Sequence, residues 1–250
     1  MKLSVIIDCR PAGTWLGQAL TGYALQTWRE FEVIVASGTD SPVPALVAER
    51  RRGFPVPLRH VHGDVPDAQG DALEQAIAQA RGECLLFTRG DCIPRPDLVA
   101  AHAARATRGR FLCGGTFQLE PELSHRISRN DIVLGRCFEP EWLQARRPPA
   151  SSGRPELALR AEAARLLEAL MPSGVRFDPR NASAWKEDLL QGRGDPGQRL
   201  HARGVRGLRA RSRALCLQLS EGGRDRAPAA DPLPTEAPGH SDRPAWRRYG

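Results

Sequence analysis

Short apolar runs rich in β-branched residues recur along the first half of the chain, each separated from the next by a segment with helical spacing. Leu3–Ile7, Phe31–Ala36 (FEVIVA) and Cys84–Phe87 read as buried strands, and Pro57–His62 (PLRHVH) as a further one. Between them, Thr14 can cap a helix carrying Leu16, Leu20 and Leu25 to about Thr27. Val43–Arg52 is helical in pattern. Ala68–Arg81 places Leu73, Ile77 and Ala80 on one face and stops at Gly82. Pro96–Ala106 starts with proline in its first turn, and Phe111–Leu119 returns as a strand. Strands alternating with helices of this length predict βαβ units around a largely parallel sheet. Such sheets bind ligands beyond the C-terminal ends of their strands. Attention therefore falls on Asp8–Gly13, Ser37–Ser41 and Thr88–Pro94.

The second half is less regular. Glu139–Arg147 and Glu156–Leu170 are helical in pattern, joined by a Pro/Ser/Gly linker at Pro148–Pro155. Trp185–Leu190 reads as a short helix and Leu215–Leu219 as a late strand. From Gly222 the chain is Pro, Gly, Arg and Asp with almost no aliphatic residue, which predicts a disordered tail over 222–250.

A chain of 250 residues with 41% hydrophobic content can bury a core, although the aromatic share is only 6%. The net charge is +7, and Lys2 and Lys186 are the only lysines among 36 basic residues. The arginines are dispersed and interleaved with acids, so no nucleic-acid partner is expected. The six cysteines (Cys9, Cys84, Cys92, Cys113, Cys137, Cys216) include no Cys-x-x-Cys pair. That spacing argues against zinc and against a disulfide framework, and for a reducing compartment. The N-terminal apolar run is too short for a signal peptide and no segment reaches the length of a membrane span. The expectation is a cytoplasmic protein without a transmembrane segment, with peripheral membrane contact left open. Asn181-Ala182-Ser183 matches a glycosylation acceptor that has little meaning without secretion.

Two short motifs are chance matches. Gly192-Arg193-Gly194-Asp195-Pro196-Gly197 fits a dinucleotide pattern but follows a helical stretch, and Pro196 removes a needed N–H. Arg89-Gly90-Asp91 as an adhesion tripeptide is cheap in so arginine-rich a chain.

SVII (4–7), LQTWREFEVIVA (25–36), AIAQARGECLLFTRGDCIPRPDLV (76–99) and NASAWKEDLL (181–190), in that order, resemble the family 2 glycosyltransferases. The resemblance covers roughly residues 1–120 and 180–220. It implies an α/β chain of GT-A (nucleotide-diphospho-sugar transferase) fold, a Rossmann-like mixed sheet flanked by helices. Residues 1–221 would form that domain, with 1–120 as nucleotide-binding half and 121–221 as acceptor half. The implied partners are a nucleotide-sugar and an unknown glycan, lipid-linked or small acceptor. By the same resemblance, Asp8, Arg10, Ser37, Asp40, Arg89 and Asp91 lie where the donor binds. Asp91 matches the carboxylate that touches a divalent metal (Mn or Mg), and Asn181, Trp185 and Asp188 border the acceptor.

The chemistry of such a site sets its own requirements. A departing nucleoside diphosphate needs a hard cation or fixed positive groups, and the acceptor hydroxyl needs a general base. Against the family pattern, the loop after the second strand reads Ala36-Ser37-Gly38-Thr39 without its acidic pair, leaving Asp40 just beyond. The first metal carboxylate has become Arg89. The acidic segment that holds the base is missing after Leu190, leaving Asp195 as the candidate catalytic acid nearby. Leu217-Gln218-Leu219-Ser220-Glu221 has Gln and Glu where the family has histidines. Two readings follow. Arg89 replaces metal charge by forking onto the diphosphate, with Asp91 orienting Arg89 or the ribose, for metal-free or weak-metal transfer. Alternatively the site is dismantled and the domain acts by binding, as a pseudoenzyme.

Other residues also carry plainer readings. Asn181 and Asp188 can cap the helix that follows, and Trp185 can be core. Asp97 favours the first turn of its helix. His60 and His62 share one side of a strand and read as surface or partly buried.

Overall fold

The computed structural model describes residues 2–9, 14–38, 41–63, 71–145, 177–191 and 206–220. Its strands are β1 (Leu3–Asp8), β2 (Phe31–Ser37), β3 (Leu58–His62), β4 (Cys84–Arg89), β5 (Cys92–Pro94), β6 (Arg110–Gln118), β7 (Asn181–Trp185) and β8 (Arg206–Gln218). The described helices are α1 (Leu16–Ala24), α2 (Val43–Arg51), α3 (Asp71–Gln79), α4 (Leu98–Arg105), α5 (Pro121–Arg126), α6 (Arg129–Val133), α7 (Pro140–Ala145) and α8 (Lys186–Leu190). A 3-10 turn at Arg136–Phe138 precedes α7. The sheet runs β3-β2-β1-β4-β7-β6-β8-β5. Strands β1 to β4 are parallel, β7 is antiparallel to both β4 and β6, and β8 is parallel to β6 and antiparallel to β5.

The apolar runs are continuous because both faces of the parallel half are covered. Leu3, Val5 and Ile7 point to one face, against Leu16 and Leu20 of α1, Val43 and Val47 of α2, and Leu98 of α4. Ile6, Ile34, Leu85 and Phe87 point to the other, against Ala76 and Ile77 of α3. Full burial of one such side chain contributes about 1.5–3 kcal/mol. Phe177 closes the second face, edge-on to Phe87 and Phe111 with centroids 5.6 Å apart. A third cluster seats α5 to α7 on Ile93, Leu217 and Leu219.

The ARGE segment has a structural role at the N-terminal edge of the parallel strands. Glu32 is buried, and its Oε1 accepts from Ser4 Oγ (2.7 Å) and Arg81 N (2.7 Å). Its Oε2 pairs with Arg59 at 2.8 Å. Burial alone would raise the Glu32 carboxyl, but these donors hold it below its ordinary value. Gly82 donates its N–H to Ser4 Oγ, and a Cβ there would stand 2.5 Å from Ser4 N. The glycine is required for close backbone approach.

Several expectations are revised. Trp15, not Thr14, is the N-cap of α1, without a side-chain cap bond. Asp97 occupies the N-cap of α4 without capping it and pairs with Arg95 at 3.1 Å. The capping acceptor arrives from α1's end instead: buried Gln26 takes the N–H of Val99 at 2.9 Å through Oε1. Asn181 lies in a strand and caps no helix, and β5 lies where a loop was expected. The short helices α5 and α6 were not anticipated. The linker 148–155, the helical pattern 156–170 and the tail 222–250 lie outside the described residues. No described helix is long and apolar enough to cross a membrane.

Candidate functional site

Parallel pairing aligns the C-terminal ends of the first strands: Asp8 stands opposite Ala36 on one side and Arg89 on the other. Beyond β4, Gly90 and Asp91 turn the chain into β5. Gly90 donates its N–H to the Asp8 carbonyl at 2.9 Å. A Cβ on Gly90 would lie 2.7 Å from Cys9 Sγ, so the turn is pressed against the end of β1. β8 holds the other side, with Leu219 N donating to the Asp91 carbonyl at 2.8 Å.

The side chains of this turn meet a polar cluster. Arg89 Nη2 pairs with Asp91 Oδ2 at 3.1 Å, and Gln218 Nε2 donates to the same oxygen at 3.2 Å. Cys92 Sγ lies 3.5 Å from Asp91 Oδ1. Gln218 Oε1 accepts from Arg180 Nη1 at 3.3 Å. Arg180 forks onto Asp178 through Nε (2.9 Å) and Nη2 (2.9 Å). Burial would raise the Asp178 carboxyl, but the Arg180 hydrogen bonds and charge, with Arg89 beyond, pull it below the usual value. The side chains of Arg89 and Arg180 are 38% and 41% exposed.

The donor-side candidates are only partly brought together. Asp8, Arg89 and Asp91 gather at this edge. Ser37 ends β2 but its hydroxyl is engaged inward, at 2.8 Å from His60 Nε2 and donating to the Gly38 carbonyl at 3.1 Å. With its proton given to Gly38, the Ser37 oxygen accepts from the imidazole. Burial, then the neighbouring His62, lowers the His60 pKa, which favours this neutral ring. Arg10, Asp40 and the candidate base Asp195 lie outside the described residues. Cys9 is no nucleophile in waiting: burial, with Asp8 and Asp91 nearby, pushes its thiol far up.

The acceptor-side candidates are engaged within the fold. Asn181 is buried, its Oδ1 2.9 Å from His102 Nε2 and its Nδ2 donating to the Gly115 carbonyl at 2.8 Å. Both ends of its amide are spent inside the protein. Trp185 pairs with Cys84, the first residue of β4, whereas the site lies beyond the last, Arg89. At ~3.3 Å per residue that separation is about 17 Å. At that far edge Arg108 stacks on the Trp185 ring (4.4 Å to the centroid) and pairs with Glu187. Asp188 Oδ2 accepts from Gly109 N at 2.8 Å. Trp185 and Asp188 fasten β7 and α8 to the turn before β6.

A divalent metal fits this donor set poorly. Among the described residues no group of three His, Cys, Asp or Glu side chains comes together. The Asp91 oxygen that would face a cation already holds Arg89 and Gln218. A guanidinium within ~4 Å of a dication would repel it by several kcal/mol even at an effective dielectric of ~20.

Asp178 and Arg180 belong to no motif of the sequence, and Gln218 stands out there only as a substitution. Asp178 and Arg180 precede β7 directly, and a strand assignment at Asn181 would have carried them to the same sheet edge.

Comparison with known proteins identifies the fold. The fold matches S. aureus TarS 1-349 solved with UDP-GlcNAc, at 16% identity and TM-score 0.53, covering 90% of this chain and 60% of that one. It also matches the mannosyltransferase PcManGT from Pyrobaculum calidifontis in complex with GDP-Man and Mn2+, at 16% identity and TM-score 0.55, covering 87% and 56%. The chain thus spans less than two thirds of either structure, and the likeness establishes the GT-A fold. No curated protein matches the sequence. The family model described as Glycosyl transferase family 2 matches residues 4–155, more than half of the sequence, and the chain belongs to that family.

Proposed function

We propose that the chain binds a nucleotide-sugar at the edge formed by Asp8, Arg89 and Asp91 and transfers its glycosyl group to an acceptor hydroxyl. The observation that carries this reading is the Arg89-Gly90-Asp91 turn, which sets two charged side chains at the C-terminal end of β4. That is where an open α/β sheet receives ligands. TarS and PcManGT were solved with UDP-GlcNAc and GDP-Man, which makes UDP and GDP the first nucleotides to test. Asp195 is our assignment for the base that takes the acceptor proton, as the acid nearest in sequence to that role. Residues 1–120 act as the nucleotide half and 121–221 as the acceptor half.

The ion pair between Arg89 and Asp91 favours a second reading, a domain that binds nucleotide without turnover. Release of UDP or GDP from the corresponding sugar donors, followed with a panel of sugar and lipid-linked acceptors, separates the two. Thermal unfolding with UDP, GDP and dTDP tests what they share. A ligand at a hundred times its Kd stabilises the folded state by about 2.7 kcal/mol. An unchanged midpoint with every nucleotide would exclude both.

A further inference from the structure

Arg89 and Arg180 sit on either side of one side-chain amide, that of Gln218. Arg89 reaches it through Asp91 Oδ2, and Arg180 donates directly to Gln218 Oε1. Each guanidinium is braced by one carboxylate, Asp91 for Arg89 and Asp178 for Arg180, and each side chain remains more than a third exposed. The brace on Arg89 is partial. It makes one ion pair, through Nη2, and its buried Nε has no hydrogen-bond partner among the described residues. A guanidinium carries five N–H donors in a planar fork, suited to phosphate oxygens.

We propose that Arg89 and Arg180 form a metal-independent clamp for the diphosphate of the nucleotide, with Gln218 holding the two guanidiniums in register. This inference rests on the nucleotide-sugar reading and specifies how that site is charged. Asp91 acts as a positioning residue for Arg89, and Asp178 does the same for Arg180. The two carboxylates cancel the clamp's charge while it is empty. A diphosphate offers each guanidinium a more highly charged acceptor on its exposed side. Neither carboxylate is required to hold a cation.

Calorimetric titration of the full chain with UDP, GDP, dTDP and inorganic pyrophosphate, each in EDTA and in Mn²⁺, tests the clamp. Binding of at least one nucleotide, and of pyrophosphate, is expected in EDTA, with affinity changing less than about threefold in Mn²⁺. Arg89→Ala and Arg180→Ala should each weaken it about tenfold or more, the range of a charge-assisted hydrogen bond. Arg51→Ala, on the exposed end of α2, should leave it unchanged. Arg89→Lys keeps the charge without the fork and serves if the alanine variant fails to fold; intermediate affinity is expected. Arg89→Asp, which restores the acidic pair, should lose the EDTA-resistant binding and make what remains depend on Mn²⁺. Wild-type nucleotide binding that requires Mn²⁺ would overturn the clamp and leave the nucleotide reading standing. So would EDTA-resistant binding indifferent to both arginines. The absence of binding to any nucleotide under either condition would remove both.

Discussion

His102 Nε2 lies 2.9 Å from Asn181 Oδ1 in the core, and the other ring nitrogen lies 2.7 Å from Ser183 Oγ. Asn181 spends its amide N–H on the Gly115 carbonyl, so its oxygen is the acceptor and His102 Nε2 carries the proton. The ring joins α4 to β7, and through β7 to β4 and β6.

That arrangement makes stability depend on pH. Burial lowers the His102 pKa to about 4, with the charge of Arg105 acting the same way and the Asn181 hydrogen bond opposing it. The unfolded chain, with an ordinary histidine near 6.5, therefore binds more protons between those values. Stability is full above about pH 6.5 and falls as the pH drops toward 4, by about 3 kcal/mol from this ring alone. His60, also lowered, adds in the same direction. Urea unfolding of wild type and His102→Gln between pH 8 and 5 measures the effect. The variant should lose much of the slope; an equal slope in both would show that His102 is not its source.

Gly90 faces Cys9 Sγ so closely that a methyl group cannot be added without movement. Gly90→Ala is expected to cost about 1–3 kcal/mol, the usual range for overpacking a tight contact. Removing the sulfur relieves the clash, so Cys9→Ala with Gly90→Ala should be more stable than the sum of the single changes predicts. Strict additivity in thermal unfolding would place the strain elsewhere.

Glu32 is a fold determinant whose loss should spare the binding edge. Glu32→Ala strands Ser4 Oγ, Arg81 N and Arg59, which predicts a loss of about 3–5 kcal/mol. Its carboxyl is held low when folded, so its contribution is present above its ordinary 4.5 and is lost as the pH falls below that. Nucleotide affinity, measured at a temperature where the variant is folded, should match wild type. A selective loss of affinity would connect Glu32 to the site.

The parallel half was legible because β1, β2 and β4 are buried on both faces and so carry unbroken apolar runs. β7 was not, because Asn181-Ala182-Ser183-Ala184-Trp185 is small and polar. Its two polar side chains are satisfied by His102, 79 and 81 positions away. β5 was hidden for another reason: Cys92-Ile93-Pro94 is a strand only because β8 returns to pair with it. At the site, Arg89 and Asp91 could be located from a local motif. Their continuation through Gln218 could not, since that bond spans 127 positions and joins a strand end to a turn. The acceptor candidates are spread apart for a related reason: residues of an extended strand move steadily away from the edge, so Asn181 and Trp185 stand at opposite ends of β7.

That last point has a direct test. Trp185 and Asp188 lie at the N-terminal edge of β4, engaged with Arg108 and Gly109. Trp185→Ala loses the stacked arginine, worth about 0.5–1 kcal/mol where exposed, together with the packing of a half-buried ring. Asp188→Ala leaves the Gly109 N–H to water, at a cost of about 1 kcal/mol. Both variants should unfold at lower temperature. Neither should alter nucleotide affinity or, where turnover is found, the KM for acceptor. A raised acceptor KM with unchanged stability would return these residues to the acceptor site and require the chain beyond Gln191 to bring the acceptor to that edge.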